Sequence, residues 1–198
     1  MKTLITLIAI LLLTNSLGQL SESEVVTKRN EHAEELNSIK KGILNQEEIT
    51  KFKGLDYFSF DATYQIEVKY VRNKGPKFEM ATSTDRKPIY RQIGFIEFEL
   101  NGSTESLNVY QNVELSKSKE YKNYLFIPFR DKTSGNETYG GGRYLDIEKQ
   151  KGKVWKIDFN LAYNPYCAYS YRYSCPIPPK ENTLNIKIEA GEKVPHSH

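Results

Sequence analysis

The residues able to do chemistry in this chain are few, and they gather toward its C-terminal half. Asp131, Asp158 and Glu192 stand near turn signals and are the candidate acids and bases. A carboxylate pair supports glycosidic or lyase chemistry when one of its pKa values is raised. Arg143 follows three successive glycines, Gly140 to Gly142, in the stretch "DKTSGNETYGGGRYLD". Glycine amides unshielded by a Cβ, next to a guanidinium, suit a carboxylate, sulfate or phosphate. The spacing is neither a P-loop nor a dinucleotide fingerprint, because the Lys-Ser/Thr pair and the spaced glycines are absent. The same stretch also reads as a plain glycine-rich loop leading into a strand.

Cys167 and Cys175 are the only two cysteines, and they share "NPYCAYSYRYSCPIPPKEN" with four of the eight prolines. An even count in an exported protein favours a disulfide, which would make this stretch a stapled loop. The competing readings are a free or catalytic thiol and a C-x7-C metal site. Tetrahedral zinc wants further His or Cys ligands, and no third cysteine exists. No metal and no cofactor are expected. Of the three histidines, His32 lies in a charged helix-forming stretch, and His196 and His198 stand at the very end. None is near a nucleophile motif, which disfavours the Ser-His-Asp and Cys-His hydrolases.

These groups need elements to hold them. Lys2, the apolar run Leu4 to Leu13 and small residues at Ser16 and Gly18 form a signal-peptide pattern over residues 1–18. The run is too short for a permanent span, so a soluble, exported protein, periplasmic or extracellular, is expected. Formal net charge is +3, with Lys and Glu interleaved, so no nucleic-acid footprint is predicted. Residues 19–54 read as helical. Ser21 with Glu24 and Asn45 with Glu48 form capping boxes; a stripe from Val25 to Ile43 leads to Gly42, and Gly54 stops a second helix.

From residue 55 to 193 the apolar period is two. Tyr64 to Tyr70, Ile96 to Leu100 and Leu107 to Val109 alternate, with Asn101-Gly102 as a hairpin turn. Tyr124 to Phe129 is apolar on both faces and predicts a buried strand. Arg143–Glu148 and 154–160 read as a hairpin over a Lys-Gly-Lys turn, and Leu184 to Ala190 as a final strand. The expected fold is mainly β: one antiparallel barrel or sandwich, with N-terminal helices, a long disulfide-stapled loop and a flexible tail over 194–198. The stapled loop is expected to fold over Asp158 and Asn160.

"FIPFRDKTSGNETYGGGRYLDI", "DFNLAYNPYCAYSYRYSCPIPPKENTLNIKIEAGEK" and "GLDYFSFDATYQIEV" resemble the bacterial and archaeal domain-of-unknown-function family 1684 over about residues 50–193. This chain looks like a short form of it. The resemblance implies no reaction, but it places Asp131, Tyr139, Gly142, Arg143, Asp158, Asn160, Asn164, Cys167, Cys175, Asn182 and Glu192 in family motifs.

Two functions follow. The first is a binding module whose barrel mouth holds a small anionic or saccharide-like ligand through Tyr139, Gly142, Arg143, Asn160, Asn164 and Asn182. The second is a histidine-free hydrolase or lyase using Asp131, Asp158 or Glu192 in the same pocket. A structural role in the cell envelope is the third. A monomer with a small-molecule or saccharide ligand, no nucleic acid and no lasting membrane anchor is the expected state.

Overall fold

The computed structural model of the chain describes residues 19–195. The predicted leader over residues 1–18, and His196 and His198 of the predicted tail, lie outside the described residues. Helix α1, Glu22–Leu36, opens on the predicted capping box: Ser21 accepts from the Glu24 amide, and the Glu24 carboxylate accepts from the Ser21 amide. The helix stops at Leu36 rather than near Gly42, and Ile39 is left exposed. The predicted stripe therefore ends one turn early. Helix α2, Gln46–Lys51, carries the second box, from Asn45 and Glu48.

The strands are β1 Gln65–Arg72, β2 Lys77–Glu79, β3 Ile89–Leu100, β4 Ser103–Asn112, β5 Tyr124–Phe129, β6 Arg143–Glu148 and β7 Val154–Asp158. They form one antiparallel sheet in the order β6-β5-β4-β3-β1-β7, with β2 added to β3. Asn101 and Gly102 both take positive φ, 52° and 76°, as a two-residue hairpin with right-handed strand twist requires. Leu100 then faces Ser103 across the turn.

Two strand expectations need correction. β6 and β7 do not pair as a hairpin; they are the opposite margins of the sheet. The sheet curls into a half-barrel and brings these margins close, so a short connection suffices. Tyr144 and Tyr163 exchange backbone hydrogen bonds of 2.9 and 3.1 Å across the gap. The Gln150 side chain donates to the Lys156 carbonyl and accepts from its amide, replacing a missing strand neighbour. The segment Leu184 to Ala190 is not a ladder strand either. Leu184, Ile186, Ile188 and Ala190 alternate into the core as predicted; the Leu184 amide bonds to the Arg130 carbonyl and the Ile186 carbonyl to the Lys132 amide, whereas the peptide groups of Ile188 and Ala190 are met by side chains.

Those side chains are Asp131, just after β5, and Arg143, at the start of β6. Both are sealed from water and lie 3.3 Å apart. Asp131 accepts from the Ile188 amide at 2.7 Å. Arg143 donates to the carbonyls of Ile188 at 2.9 Å, of Ala190, and of Glu192 at 3.4 Å. Gly142 lets the chain turn here: its φ is 91°, and a Cβ would meet the Phe129 carbonyl at 2.6 Å.

The concave side of the sheet is filled. Leu125, Ile127, Phe129, Leu145, Trp155, Ile157 and Phe159 join the C-terminal alternation there. The outer side of β5 and β6 carries a separate aromatic cluster of Tyr90, Tyr110, Phe126 and Tyr144 around Met80. The Cys–Pro loop covers that outer cluster and not Asp158 with Asn160, contrary to expectation. Its Cys175 amide and carbonyl bond to Ser83, and the Tyr144 hydroxyl donates to the Pro176 carbonyl. Asn160 is covered instead by α1, whose Arg29 donates to its carbonyl at 2.9 and 3.1 Å. Cys167 and Cys175 are free thiols, so the expected staple is not formed in this structure, although their sulfurs are 3.3 Å apart.

Removing one member of a buried ion pair strands the other charge and its hydrogen-bond partners. Arg143→Met should therefore lower the unfolding free energy by about 3–5 kcal/mol, read by urea denaturation. A loss under about 1 kcal/mol would mean that the pair does not hold the C-terminal segment.

Candidate functional site

Asp131, Arg143, Asn164 and Glu192 are brought together, but in the interior. Arg143 is buried against Asp131 and the C-terminal carbonyls, so it cannot serve as a ligand anchor. Within the glycine run, the Gly142 amide beside Arg143 is taken by the Tyr139 carbonyl and is not presented to an anion. A Cβ on Gly141 would sit 2.3 Å from the Tyr139 ring, so that glycine serves close packing. The expected anionic ligand loses its anchor.

The asparagines are clamps on backbone. Asn182 accepts from the Asn108 amide and donates to the carbonyls of Asn108 and Pro128, joining β4 to β5 where their ladder is reduced to Tyr110 opposite Phe126. Asn160 donates to the Asp61 carbonyl and Asp158, and accepts from the Asp61 amide. Asn164 donates from its amide and side chain to Glu192 at 3.0 and 2.9 Å. All three asparagines are fully buried, so none faces a ligand.

Glu192 is the unusual acid of this interior. Burial pushes its carboxyl up to about 8, against the pull of the Asn164 bonds and the Arg143 charge. His32 of α1, set aside on sequence grounds, places Nε2 3.9 Å from Glu192 Oε2. That nitrogen is buried and has no hydrogen-bond partner among the described residues. Burial also pushes the His32 pKa below its ordinary value. No residue spacing could have paired positions so far apart in the chain. Asp131 and Glu192 are sealed from solvent and Asp158 is half-buried elsewhere, beside Gln65 and Asn160. The three candidate acids therefore share no open pocket.

One open cavity lies on the outer face of the sheet. It measures about 380 Å³ and is bounded by β5, β6, α1 and the Cys–Pro loop. Tyr124, Phe126, Tyr144 and Tyr163 form its aromatic side, with Tyr166, Tyr173, Cys175 and Pro176 opposite. Phe126 and Tyr144 meet edge to face at 4.7 Å. Asp146 stands at this wall, exposed, with one oxygen accepting from the Tyr124 hydroxyl at 2.6 Å and the other from Tyr163 at 2.7 Å. Each carboxylate oxygen keeps a further lone pair for an incoming donor. Glu35 adds a second carboxylate to the lining, which contains neither lysine nor arginine.

Asp146 was missed from the sequence, though a signal existed. Tyr144 and Asp146 occupy the phase opposite to Leu145 and Ile147, and the neighbouring strand is apolar on both faces. Tyr139 and Cys167 line a different opening of about 350 Å³, with Ser83 and Thr84.

Fold and surface together define a mainly β half-barrel domain with short N-terminal helices and its cavity outside the sheet. The chain belongs to the family described as Protein of unknown function (DUF1684), which it matches over residues 50–193. It is also similar to the solution NMR structure of an uncharacterized protein from Haloarcula marismortui. The two are 33% identical, over 89% of this chain and 96% of that one, with a TM-score of 0.68. No curated protein matches the chain significantly.

The raised Glu192 pKa has a stability consequence with a definite sign. Folding favours the protonated acid, a contribution complete below the ordinary 4.5 and lost as pH rises to about 8. His32, whose folded pKa is lowered, adds a slope of opposite sign that fades above its ordinary 6.5 and is carried by wild type and Glu192→Gln alike. Between about pH 7 and pH 8 the wild type should lose stability relative to Glu192→Gln, by up to about 1.4 kcal/mol per pH unit. Urea unfolding of both at those pH values checks this, and parallel trends would contradict it.

Proposed function

We propose that this chain is an exported, monomeric binding module that takes a saccharide-like, polyhydroxylated ligand in the outer aromatic cavity. The observation that carries this reading is Asp146, oriented by two tyrosine hydroxyls on an aromatic wall of a 380 Å³ cavity. Ligand sites of about 300–1,000 Å³ combine apolar and aromatic walls with a few placed polar groups. Ring faces suit the C–H faces of a sugar, and a carboxylate accepts from its hydroxyls. Two carboxylates without a basic residue in the lining disfavour an anion. Export rests on the leader pattern over residues 1–18. The carboxylate-enzyme alternative has less support, because Asp131 and Glu192 are closed to substrate.

Calorimetric titration with a panel of neutral mono- and oligosaccharides tests the proposal. A hydrogen bond to a charged group contributes about 1.5–3 kcal/mol, so Asp146→Asn should weaken binding by about 10- to 100-fold. Its melting temperature should stay close to that of the wild type. Absence of binding across the panel, or saturation by a quaternary ammonium or anionic probe alone, would refute the saccharide reading.

A further inference from the structure

We infer that Cys167 and Cys175 form a thiol–disulfide exchange site, with Cys167 as the attacking thiol and Cys175 as the resolving one, acting on low-molecular-weight disulfides. The two sulfurs are 3.3 Å apart, and the Cys167 amide donates to Cys175 Sγ at 3.2 Å. Their exposures differ in the sense the chemistry needs: Cys167 is half-buried and lines an open cleft, whereas Cys175 is buried. The cleft of about 350 Å³ is walled by Ser83, Thr84, Tyr139, Tyr171 and Tyr173, large enough to admit a small disulfide. The Tyr139 hydroxyl lies 3.9 Å from Cys167 Sγ.

Donors around Cys167 favour its thiolate. The Cys175 thiol, then the Tyr139 and Ser83 hydroxyls, hold the Cys167 pKa below its ordinary value despite burial. Cys175 is pushed up, by its bond to Cys167 and by burial, and keeps its proton until its turn. A thiolate that is accessible and next to a resolving cysteine is the arrangement of reversible redox cysteines.

The loop does not need a permanent bridge to keep its place. On the Cys175 side, Ser83 donates its amide to the Cys175 carbonyl at 2.9 Å, and the Cys175 amide donates to Ser83 Oγ at 3.1 Å. Arg86 donates to the Ser174 carbonyl at 2.6 Å, and the Ile177 amide to Ala81 at 2.8 Å. On the Cys167 side, the Ala168 amide bonds to the Pro165 carbonyl at 2.8 Å. Opening and closing the bond therefore leaves both cysteines positioned, which distinguishes an exchange site from a staple.

The steps balance. The Cys167 thiolate attacks one sulfur of a disulfide RSSR, forming protein–S–S–R and releasing RS⁻, which takes a proton from water. Cys175 gives its proton to solvent and attacks Cys167 Sγ, forming the internal disulfide and releasing the second RS⁻. The protein loses two electrons, and RSSR is reduced to two RSH. Two equivalents of thiol run the sequence backwards.

The test starts with the reduced, folded chain and iodoacetamide from about pH 5 to about pH 9, read by peptide mapping. Cys167 should react at least about tenfold faster than Cys175, with a midpoint clearly below the free-thiol value of about 8.5. Glutathione disulfide is then the probe, read by intact mass. Wild type should pass to the internal disulfide, Cys175→Ser should stop with one glutathione bound, and Cys167→Ser should take up none in the same time. Millimolar reduced glutathione should reopen the wild-type bond. Equal alkylation of the two cysteines, a wild type that retains glutathione, or a bridge that glutathione cannot open would each overturn the inference. Should a serine variant fail to fold, by circular dichroism, the wild-type alkylation ratio and reopening decide alone.

Discussion

The buried pair of Asp131 and Arg143 does what a strand would otherwise do, and the closure of the domain depends on it. The half-barrel leaves the segment from Leu184 to Ala190 inside the sheet with apolar side chains well placed, and its backbone pairing with residues 130–132 reaches only as far as Ile186. Peptide groups left bare in such a core are costly. Asp131 takes the Ile188 amide, and the five-donor fork of Arg143 spans the carbonyls of Ile188, Ala190 and Glu192 while resting 5.3 Å from the Phe129 ring. Arginine suits this position because its planar guanidinium reaches several acceptors at once and keeps its charge when buried.

The same logic explains the other polar residues of the matched family motifs. Asn182 substitutes for ladder bonds between β4 and β5, Asn160 ties the end of β7 to the chain around Asp61, and Asn164 holds the Glu192 carboxyl. They lie where the chain leaves regular structure, as catalytic residues do, but their partners are other groups of the chain: backbone for Asn182, backbone and Asp158 for Asn160, and the Glu192 carboxyl for Asn164. Polar residues at strand ends thus serve closure here. Arg29 extends the pattern to the helices, anchoring α1 through the Asn160 and Phe58 carbonyls and stacking over Tyr57.

A filled interior leaves only the outside of the sheet for a site. Leu125, Ile127 and Phe129 occupy the core, so the opposite phase of β5 and β6, with Phe126, Tyr144 and Asp146, becomes the wall of the open cavity. Helix α1 and the Cys–Pro loop, each pinned by hydrogen bonds to other parts of the chain, raise the remaining walls. The loop has a double role: Cys175 lines the aromatic cavity, while Cys167 opens onto the neighbouring cleft.

Local patterns were legible in the residues themselves. Both capping boxes, the Asn101-Gly102 turn, the two-faced β5 and the core phase of Trp155, Ile157 and Phe159 follow from interactions a few residues long, which no fold can easily override. The family motifs around the cysteines and the glycine run were equally plain. Which strand lies beside which was not local. Arg143–Glu148 and the strand after it have hairpin spacing, yet the curl of the sheet parts them to opposite margins. Alternation likewise marked Leu184 to Ala190 as core without revealing that side chains would satisfy its backbone from Ile188 onward. Nor could spacing join His32 to Glu192, or Tyr124 and Tyr163 to Asp146. Periodicity and capping are written in neighbours along the chain, whereas burial of a charge and the lining of a cavity are set by residues that meet only when the sheet closes.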